Sequence, residues 1–545
     1  MPTVRADAVE VDAVVIGAGF SGLRALYELR DEVGLSVRLL EAGSDVGGVW
    51  YWNRYPGARC DSDSFTYCYS FSKELQEKWS WSERYATQPE ILEYLHFVAE
   101  MFDLRRDIRL DSRVRSAVRD ERENRWLVET ADGQQYRCTY LVTAVGPLSS
   151  VFTPPFPGLD SFGGELYPAA RWPAEPVGFT GKRVAIVGTG ATSIQMTPMV
   201  AAAAARLTVF QRTAPYVLPA RNRAHDPVSQ QEIKAGYDAI WARTSRQTFA
   251  LAIEDTDRLF AECTPEQQHR VMEQAWELGG FRLMFEAFAD VMTDEACNEA
   301  VAGFVREKIR AIVDDPAVAE LLCPKNSLTR PQLGHFYYET FNRDNVSLVD
   351  VSADPIAEVT ASGIRTTSGR EYGFDVIVFA TGFDGGTGAL NAIDIRGTDG
   401  RLLRDAWRDG PRAYLGLGAE GFPNLFMSFG PQSLFANAPV VSEHTARWIG
   451  RAISYLRDHG YQRMTPTPEA VDSWVRHVAD AYYSTAFKHG ASSRSWLVGA
   501  NIPGKPIAPQ LYVGHAAGYF ARIAGEADAG FPGFDIPGRE TGALR

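Results

Sequence analysis

Two short apolar runs, each followed at once by a glycine-rich turn, dominate the pattern of hydrophobic and polar positions along the chain. The first run is Val14-Val15-Ile16, before Gly17, and the second is Val184-Ala185-Ile186-Val187, before Gly188. A continuous apolar run of this length is typical of a strand that is buried on both faces, and the residues after each turn permit a helix. The pattern therefore predicts two strand–turn–helix units whose first glycines are 171 positions apart.

Both turns have the spacing of a dinucleotide-binding motif. They read Gly17-Ala18-Gly19-Phe20-Ser21-Gly22 and Gly188-Thr189-Gly190-Ala191-Thr192-Ser193. The first Gly makes the tight turn, the second lets the backbone approach a pyrophosphate, and the third position must be small so that helix and strand can pack. One such turn is weak evidence, because many glycine turns bind nothing. Two of them in one chain indicate two dinucleotides held face to face, as redox chemistry requires.

The residue expected to contact each ribose differs between the two units. The position 24 residues after the first Gly is Glu41 in the first unit and Arg212, followed by Thr213, in the second. An acid there accepts hydrogen bonds from a ribose 2′-hydroxyl, whereas an Arg accommodates a 2′-phosphate. The first unit is therefore predicted to bind FAD or NAD, and the second is predicted to bind NADP.

The remaining pattern predicts an α/β chain with an inserted helical subdomain. The stretch from about 226 to 315 is rich in Ala, Glu, Gln and Arg and has almost no turn signals, which favours helices. The other predicted strands are 113–118, 126–130, 140–145, 346–349 and 375–380, and the other predicted helices are 89–102 and 441–456.

Composition narrows the class of protein. The chain has 545 residues, which suggests two to four domains, and a net charge of −13, which argues against nucleic-acid and anionic-membrane surfaces. No apolar run approaches the ~18 residues of a membrane span, and the N-terminus lacks the apolar core of a signal peptide. The six cysteines are scattered without ligand-spaced histidines, so we predict a cytoplasmic protein without a metal site.

Three further segments carry a resemblance to a known family. They are Gly-Gly-Val-Trp-Tyr-Trp-Asn-Arg-Tyr-Pro-Gly-Ala-Arg-Cys-Asp at 47–61, the Asp…Ala-Thr-Gly segment at 375–384, and Ser-Trp-Leu-Val-Gly-Ala-Asn-Ile-Pro-Gly-Lys at 495–505. With the two glycine motifs, the chain resembles the type I Baeyer–Villiger monooxygenases over nearly its whole length. It is most similar to the phenylacetone and steroid monooxygenase branch of the class B flavoprotein monooxygenases.

The resemblance implies a fold class and a domain order. The fold is α/β, with two Rossmann-like dinucleotide-binding domains and a helical insertion. The implied division is 1–150 for the first part of the FAD domain, 151–225 for a linker and the first part of the NADP domain, 226–328 for the helical insertion, 329–383 for the second part of the NADP domain, and 384–545 for the C-terminal part of the FAD domain with its active-site loop.

The resemblance also implies an activity. FAD and NADPH would serve insertion of one oxygen atom of O2 beside a ketone carbonyl, giving an ester or lactone through an anionic flavin C4a-peroxide. A peroxide anion in a dry site needs a permanently charged partner, which an Arg supplies. Arg330 is the candidate, and Asp61 could hold its guanidinium in place. On spacing alone, Asp61 could equally be a turn cap, Arg330 a surface salt bridge and Trp496 a core aromatic.

The site residues follow from the motifs and the resemblance together. The FAD set is Gly17, Gly19, Phe20, Ser21, Gly22, Glu41, Gly48, Val49, Trp50, Asp61, Tyr67 and Val114. The NADP set is Gly188, Thr189, Gly190, Ala191, Thr192, Ser193, Gln195, Arg212, Thr213, Arg330 and Trp496. The substrate pocket set is Trp496, Leu434 and Phe435.

The chain departs from the family pattern at two positions that bear on function. In the signature Phe-x-Gly-x-x-x-His-x-x-x-Trp-Pro, Pro168 occupies the His position, while Trp172 and Pro173 remain. Because Pro fixes φ and cannot donate a hydrogen bond, we expect altered coupling rather than lost activity. Thr329 replaces a Lys that in relatives helps to hold the 2′-phosphate, which leaves Arg212 as the main phosphate contact.

Two alternatives remain open. A flavin monooxygenase that oxidises nitrogen or sulfur would share both glycine motifs, and a flavin-binding protein whose coupling has decayed would explain Pro168 and Thr329. Arg330 and the 499–505 loop favour the Baeyer–Villiger activity. The predicted partners are a small ketone and O2, with no nucleic acid and no membrane, in a monomer or weak homo-oligomer.

Overall fold

The computed structural model describes residues 8–539, and its framework is two five-stranded parallel sheets, one built on each glycine unit. In spatial order, the strands of the first sheet are Leu425–Met427, Tyr140–Thr143, Ala13–Ile16, Val37–Leu40 and Ile108–Arg109. Those of the second sheet are Val346–Asp350, Arg206–Gln211, Arg183–Val187, Val376–Phe379 and Glu165–Pro168. The α/β fold class predicted from the sequence is confirmed.

Each predicted glycine turn joins the middle strand of its sheet to a helix. Gly17 has φ +104° and Gly188 has φ +114°, a region that side-chain-bearing residues rarely adopt. A Cβ at Gly17 would lie 2.6 Å from the carbonyl oxygen of Ala144, and one at Gly188 would lie 2.4 Å from that of Ala380. The neighbouring strand therefore passes so close to each turn that only glycine fits. The helices that follow are Phe20–Tyr27 and Ala191–Ala203.

The C-terminal part of the chain returns to the first glycine unit. The strand Leu425–Met427 pairs with Tyr140–Thr143, and Asp394–Arg396 pairs with Val114–Asp120. The latter two belong to a third sheet that also contains Val9–Glu10, Gln135–Cys138 and Arg125–Thr130. A three-stranded sheet of Ile356–Thr360, Gly363–Thr366 and Glu371–Gly373 packs on the second unit. Sequence-distant segments thus complete each half of the molecule.

The predicted helical stretch is interrupted at several points, most extensively by a loop over 245–264 that contains only the short turn Phe260–Glu262. Its helices are Pro227–Thr244, Pro265–Leu278, Arg282–Phe285, Glu295–Ile312 and Pro316–Leu322. In the loop, the side-chain oxygen of Gln247 accepts hydrogen bonds from the N–H groups of Phe249 and Leu251 at 2.8 Å and 2.9 Å. Local side-chain-to-backbone bonds of this kind compete with helix formation. This loop brings Phe249 and Leu251 to the site described below.

The remaining elements surround these sheets. The other helices are Val49–Trp52, Lys73–Lys78, Gln88–Met101, Gly388–Asn391, Leu403–Ala406, Ala438–Asp458, Pro468–Tyr483 and Ala516–Asp528. Two short strand pairs are Val217–Pro219 with Gln332–Gly334, and Thr465–Pro466 with Phe534–Asp535. Over residues 8–539, none of the helices combines the length and the apolar character that crossing a membrane would take.

Candidate active site

A cavity of about 460 Å³ opens at the first glycine turn. Most of the residues predicted to bind FAD line it, namely Gly17, Gly19, Phe20, Ser21, Glu41, Gly48, Val49, Trp50, Tyr67 and Val114. Gly22 is not in this lining, and a Cβ there would lie 1.7 Å from the carbonyl oxygen of Gly17. Gly22 therefore serves the packing of the helix against its own turn.

The carboxylate of Glu41 lies at the lip of the glycine turn. Its Oε2 accepts a hydrogen bond from the N–H of Ala18 at 2.7 Å, and its Oε1 accepts one from the N–H of Gly43 at 2.7 Å. Burial raises the pKa of Glu41 above its ordinary value, and these backbone N–H groups partly oppose the shift. These two hydrogen bonds fix the carboxylate at the glycine turn, where it could accept a hydrogen bond from a ribose hydroxyl.

A second, mostly apolar cavity of about 290 Å³ adjoins the first. The two cavities share six lining residues, Val49, Tyr67, Pro147, Leu148, Phe429 and Ala438. The rest of the lining is largely aromatic and aliphatic, with Phe249, Leu251, Phe281, Met284, Phe285, Met292, Phe435, Phe487, Trp496 and Leu511. A molecule in the second cavity would therefore lie directly against one end of a molecule in the first.

Arg330 is the cation of the second cavity. Its guanidinium carbon lies 5.6 Å from the ring centre of Trp496 and 5.7 Å from that of Phe435, so both aromatic rings stabilise its charge. Burial lowers the pKa of Arg330, and the negative charge of Asp61 opposes the shift. Burial likewise raises the pKa of Asp61, against the opposing effect of Arg330.

Asp61 and Arg330 share the cavity but do not form the direct pair that the sequence suggested. Both line it, yet among the described residues no nitrogen of Arg330 lies within 4.0 Å of a carboxylate oxygen of Asp61. Their attraction acts across the cavity instead. The guanidinium N–H groups therefore remain free to donate to a bound molecule.

The C-terminal loop brings Trp496 to this cavity from far along the chain. A Cβ at Gly385 would lie 2.4 Å from the Trp496 ring, so only glycine permits this packing. The loop is fastened by Asn501, which donates to the carbonyl of Phe383 at 2.8 Å, and by Lys505, which donates to the carbonyl of Gly385 at 2.6 Å. The two accepting residues, Phe383 and Gly385, lie just after the strand Val376–Phe379, so the loop is tied to the second sheet.

Leu434 is not brought to the cavity. Its side chain is fully buried in the hydrophobic core, whereas the adjacent Phe435 lines the cavity. The backbone is extended here, because Leu434 forms an isolated β-bridge with Tyr512. Because consecutive side chains on an extended backbone point in opposite directions, only one of the two can face the cavity.

In the second glycine unit, the turn is tied to the loop that carries Arg212 and Thr213. The hydroxyl of Thr189 donates to the carbonyl of Thr213 at 2.7 Å, and Gly190 and Arg212 are exposed. Ser193 is completely buried, so neither its side chain nor its backbone reaches the surface of this unit.

Gln195, predicted to bind NADP, joins the two glycine units through its side chain. Its amide oxygen accepts from the hydroxyl of Tyr55 at 2.8 Å, and its amide nitrogen donates to the carbonyl of Arg59 at 3.0 Å. Tyr55 and Arg59 belong to the 47–61 loop. A Cβ at Gly57 in the same loop would lie 2.4 Å from the carbonyl of Gln195. The loop therefore packs tightly against the second unit's helix.

Arg494 is a cation near Arg212 that sequence analysis missed. Partial desolvation of its guanidinium lowers the pKa of Arg212, although the residue keeps an exposed surface, and the positive charge of Arg494 lowers the pKa further. Both residues are exposed, and within residues 8–539 neither guanidinium forms an ion pair. Thr329, which replaces the expected Lys, lines the apolar cavity beside Arg330. Only the tertiary structure brings Arg494 towards Arg212, because they are 282 positions apart.

Comparison with known proteins decides the family. A family model described as "FMO-like: Flavin-binding monooxygenase-like" matches residues 11–230, which contain both glycine turns. The chain is 45% identical over 534 residues to a Pseudooceanicola batsensis protein named Baeyer-Villiger monooxygenase, with 97% of this chain and 96% of that protein covered. The chain belongs to the Baeyer–Villiger monooxygenase family.

Two further comparisons describe the range of this family. A structure titled "Oxidized steroid monooxygenase bound to NADP" superimposes with a TM-score of 0.91 at 46% identity, covering 97% of this chain and 99% of that chain. A phenazine N-monooxygenase of Lysobacter antibioticus is 41% identical over 97% of each chain. This Baeyer–Villiger family member is thus an enzyme of the flavin-dependent monooxygenase class, and its relatives include one named for nitrogen oxidation.

The structure accommodates Pro168, which departs from the family signature. Pro168 ends the strand Glu165–Pro168, at the edge of the second sheet, where it is paired with Phe379. An edge position tolerates the missing N–H of proline. This Baeyer–Villiger family member therefore forms the strand Glu165–Pro168 with a proline in place of the signature histidine.

Proposed function

We propose that this protein is an FAD- and NADPH-dependent monooxygenase that inserts one oxygen atom of O2 next to a ketone carbonyl, giving an ester or lactone. The observation that carries the proposal is the position of Arg330. It is the one guanidinium lining the apolar cavity over the described residues, and that cavity shares a wall with the nucleotide cavity. A ketone there would have its carbonyl near both the flavin end and a fixed positive charge.

The residues of the first cavity fit FAD. Gly17 and Gly19 leave the backbone open to a pyrophosphate, and the Glu41 carboxylate is placed for a ribose hydroxyl. When bound, FAD would supply the electrons that activate O2. The residues lining both cavities, such as Tyr67 and Phe429, would then lie beside the flavin end, where the two cavities meet.

The second glycine unit fits NADPH. Its turn has the same geometry as the first, and Arg212 carries a positive charge where the first unit has Glu41. Arg494 adds a second positive charge nearby. Two guanidinium groups that form no ion pair within residues 8–539 suit a phosphate dianion, because each can donate two hydrogen bonds to its oxygens.

Arg330 would stabilise the negative charge that develops on the activated oxygen and on the ketone oxygen during attack. An apolar cavity strengthens such a charge interaction, and the two aromatic rings limit the movement of the guanidinium. Asp61 would act as a positioning residue, since its charge attracts Arg330 without occupying its donors.

The lining also indicates the substrate class. Phenylalanine and methionine side chains dominate, and polar atoms come from Arg330, Asp61, Ser62, Thr329, Asn437 and Tyr67. A cavity of about 290 Å³ suits a small or medium-sized ketone with apolar flanks. Desolvation of additional hydroxyl or charged groups would cost binding free energy there.

A second candidate is nitrogen oxidation, favoured by the 41% identity to a phenazine N-monooxygenase. One experiment distinguishes ketone oxygenation from nitrogen oxidation. The purified protein is supplied with NADPH and ¹⁸O-labelled O2 and is offered aliphatic, cyclic and aryl ketones and, in parallel, phenazines and tertiary amines. We expect esters or lactones carrying one ¹⁸O atom. N-oxides as the sole products would overturn the ketone proposal.

A further inference from the structure

Arg171 reaches the nucleotide cavity of the first glycine unit from the opposite half of the molecule. It ends the short helical turn Ala169–Arg171, which follows the edge strand Glu165–Pro168 of the second sheet. Its guanidinium carbon nevertheless lies 4.3 Å from the ring centre of Trp52 in the helix Val49–Trp52. Both Arg171 and Trp52 line the cavity that begins at Gly17.

Over the described residues, the carboxylate of Glu41 is the one negative charge that acts on Arg171, and it forms no ion pair with it. Within residues 8–539 its guanidinium makes neither a hydrogen bond nor an ion pair, although the residue is half-buried. Burial lowers the pKa of Arg171, the nearby charge of Arg113 lowers it further, and only Glu41 opposes the shift. Holding two guanidinium groups together beside one carboxylate is unfavourable unless a ligand brings further negative charge.

The surroundings identify which part of a dinucleotide would lie there. Glu41, the predicted ribose acceptor, and Arg113 both line the cavity and both act electrostatically on Arg171. Val114, in the FAD set, follows Arg113 directly in the chain and also lines the cavity. Arg171 thus faces the adenosine diphosphate half of a bound dinucleotide rather than its flavin ring.

We propose that Arg171 is an FAD-binding residue supplied by the second sheet, which contacts the adenosine diphosphate half of the cofactor together with Trp52 and Arg113. The proposal rests on the assignment of FAD to this cavity made under the proposed function. Because the turn that carries Arg171 extends from the second sheet, bound FAD also holds the two halves of the molecule together at this point.

The test uses the apoprotein of wild type and of Arg171→Gln. FAD is titrated with flavin fluorescence as the signal, and ADP is then added as a competitor at the FAD site. Loss of one charge-assisted contact corresponds to a rise of about ten- to a hundredfold in a dissociation constant. We expect such a rise for FAD and an equal rise for ADP, because the lost contact lies in the half that the two molecules share.

Two variants serve as controls. Arg370→Gln removes a guanidinium that also lies over an aromatic ring, 4.9 Å from the centre of Tyr372, but outside the cavity. It should leave both dissociation constants unchanged. Arg171→Lys keeps the charge without the planar group and should give intermediate values. Circular dichroism of the apoprotein shows whether the Arg171→Gln variant folds. If it does not fold, the Arg171→Lys variant still tests the proposal.

The outcomes separate this inference from the one it rests on. Wild-type apoprotein that binds no FAD would overturn the assignment of the cofactor itself. Wild type that binds FAD, with an Arg171→Gln variant whose FAD and ADP dissociation constants stay within twofold, would overturn only the role of Arg171. A variant with a lower unfolding temperature but unchanged ADP binding would likewise overturn it, because Arg171 would then only join the two halves.

Discussion

Removal of the Arg330 guanidinium tests the central step of the proposed function. In the Arg330→Ala variant, FAD binding should persist, since Arg330 lines the apolar cavity and not the cavity at the first glycine turn. Formation of ester should nearly stop. NADPH consumption should then continue with release of hydrogen peroxide, because activated oxygen would no longer be held for attack on the ketone.

The expected size follows from the cavity. A unit negative charge ~4 Å from a guanidinium, at an effective dielectric constant of ~20, interacts with it by about 4 kcal/mol. Removing one preorganised group at a developing oxyanion typically costs ~3–4 kcal/mol, a loss of roughly 10²–10³ in rate. The rings of Trp496 and Phe435 hold Arg330 in place, so little of this free energy is spent on ordering it.

The assay measures ester by mass spectrometry, NADPH by absorbance and hydrogen peroxide by a peroxidase-coupled dye. Arg282→Ala is a matched control. Arg282 directly follows Phe281, but its side chain does not line the apolar cavity and instead forms an ion pair with Glu286, with 3.1 Å between nitrogen and oxygen. Arg330→Lys should recover part of the rate, since it restores the charge without the planar donors. An Ala variant that forms ester at near the wild-type rate refutes the reasoning.

Three further predictions concern the nucleotide units and their contact. Gly17→Ala should purify without flavin absorbance, whereas Gly188→Ala should keep FAD and raise the KM for NADPH at least ~10-fold. The reason is that each new Cβ would clash with a neighbouring carbonyl oxygen. Retention of FAD by the Gly17→Ala variant would contradict this prediction. Arg494→Gln should raise the KM for NADPH about tenfold and leave that for NADH unchanged, as the loss of one contact to a 2′-phosphate requires; equal rises for both cofactors argue against it. Gln195→Ala removes two hydrogen bonds between the units and should lower the free energy of unfolding in urea by about 1–3 kcal/mol; an unchanged transition midpoint counts against it.

Much of the fold could be predicted because its signals are local. An apolar run, a glycine turn and a helix-permissive stretch depend on residues within about twenty positions of each other. The strands beginning at Ala13 and Arg183, and the positive φ angles of Gly17 and Gly188, follow from that local pattern. The loop at 245–264 did not, since the hydrogen bonds that its backbone N–H groups donate to the Gln247 side chain compete with a helix that the composition favoured.

The sequence by itself therefore determined the two glycine units and, through resemblance, the family, and it predicted Glu41 and Arg212 as the residues at the two ribose positions. Only the tertiary structure decided which candidates meet. It places Arg330 next to both Trp496 and Phe435, buries Leu434 in the core, and brings Arg171 across from the second sheet to the first cavity. The physical reason is that the direction of a side chain depends on the backbone around it, while its neighbours come from distant segments that pack against it.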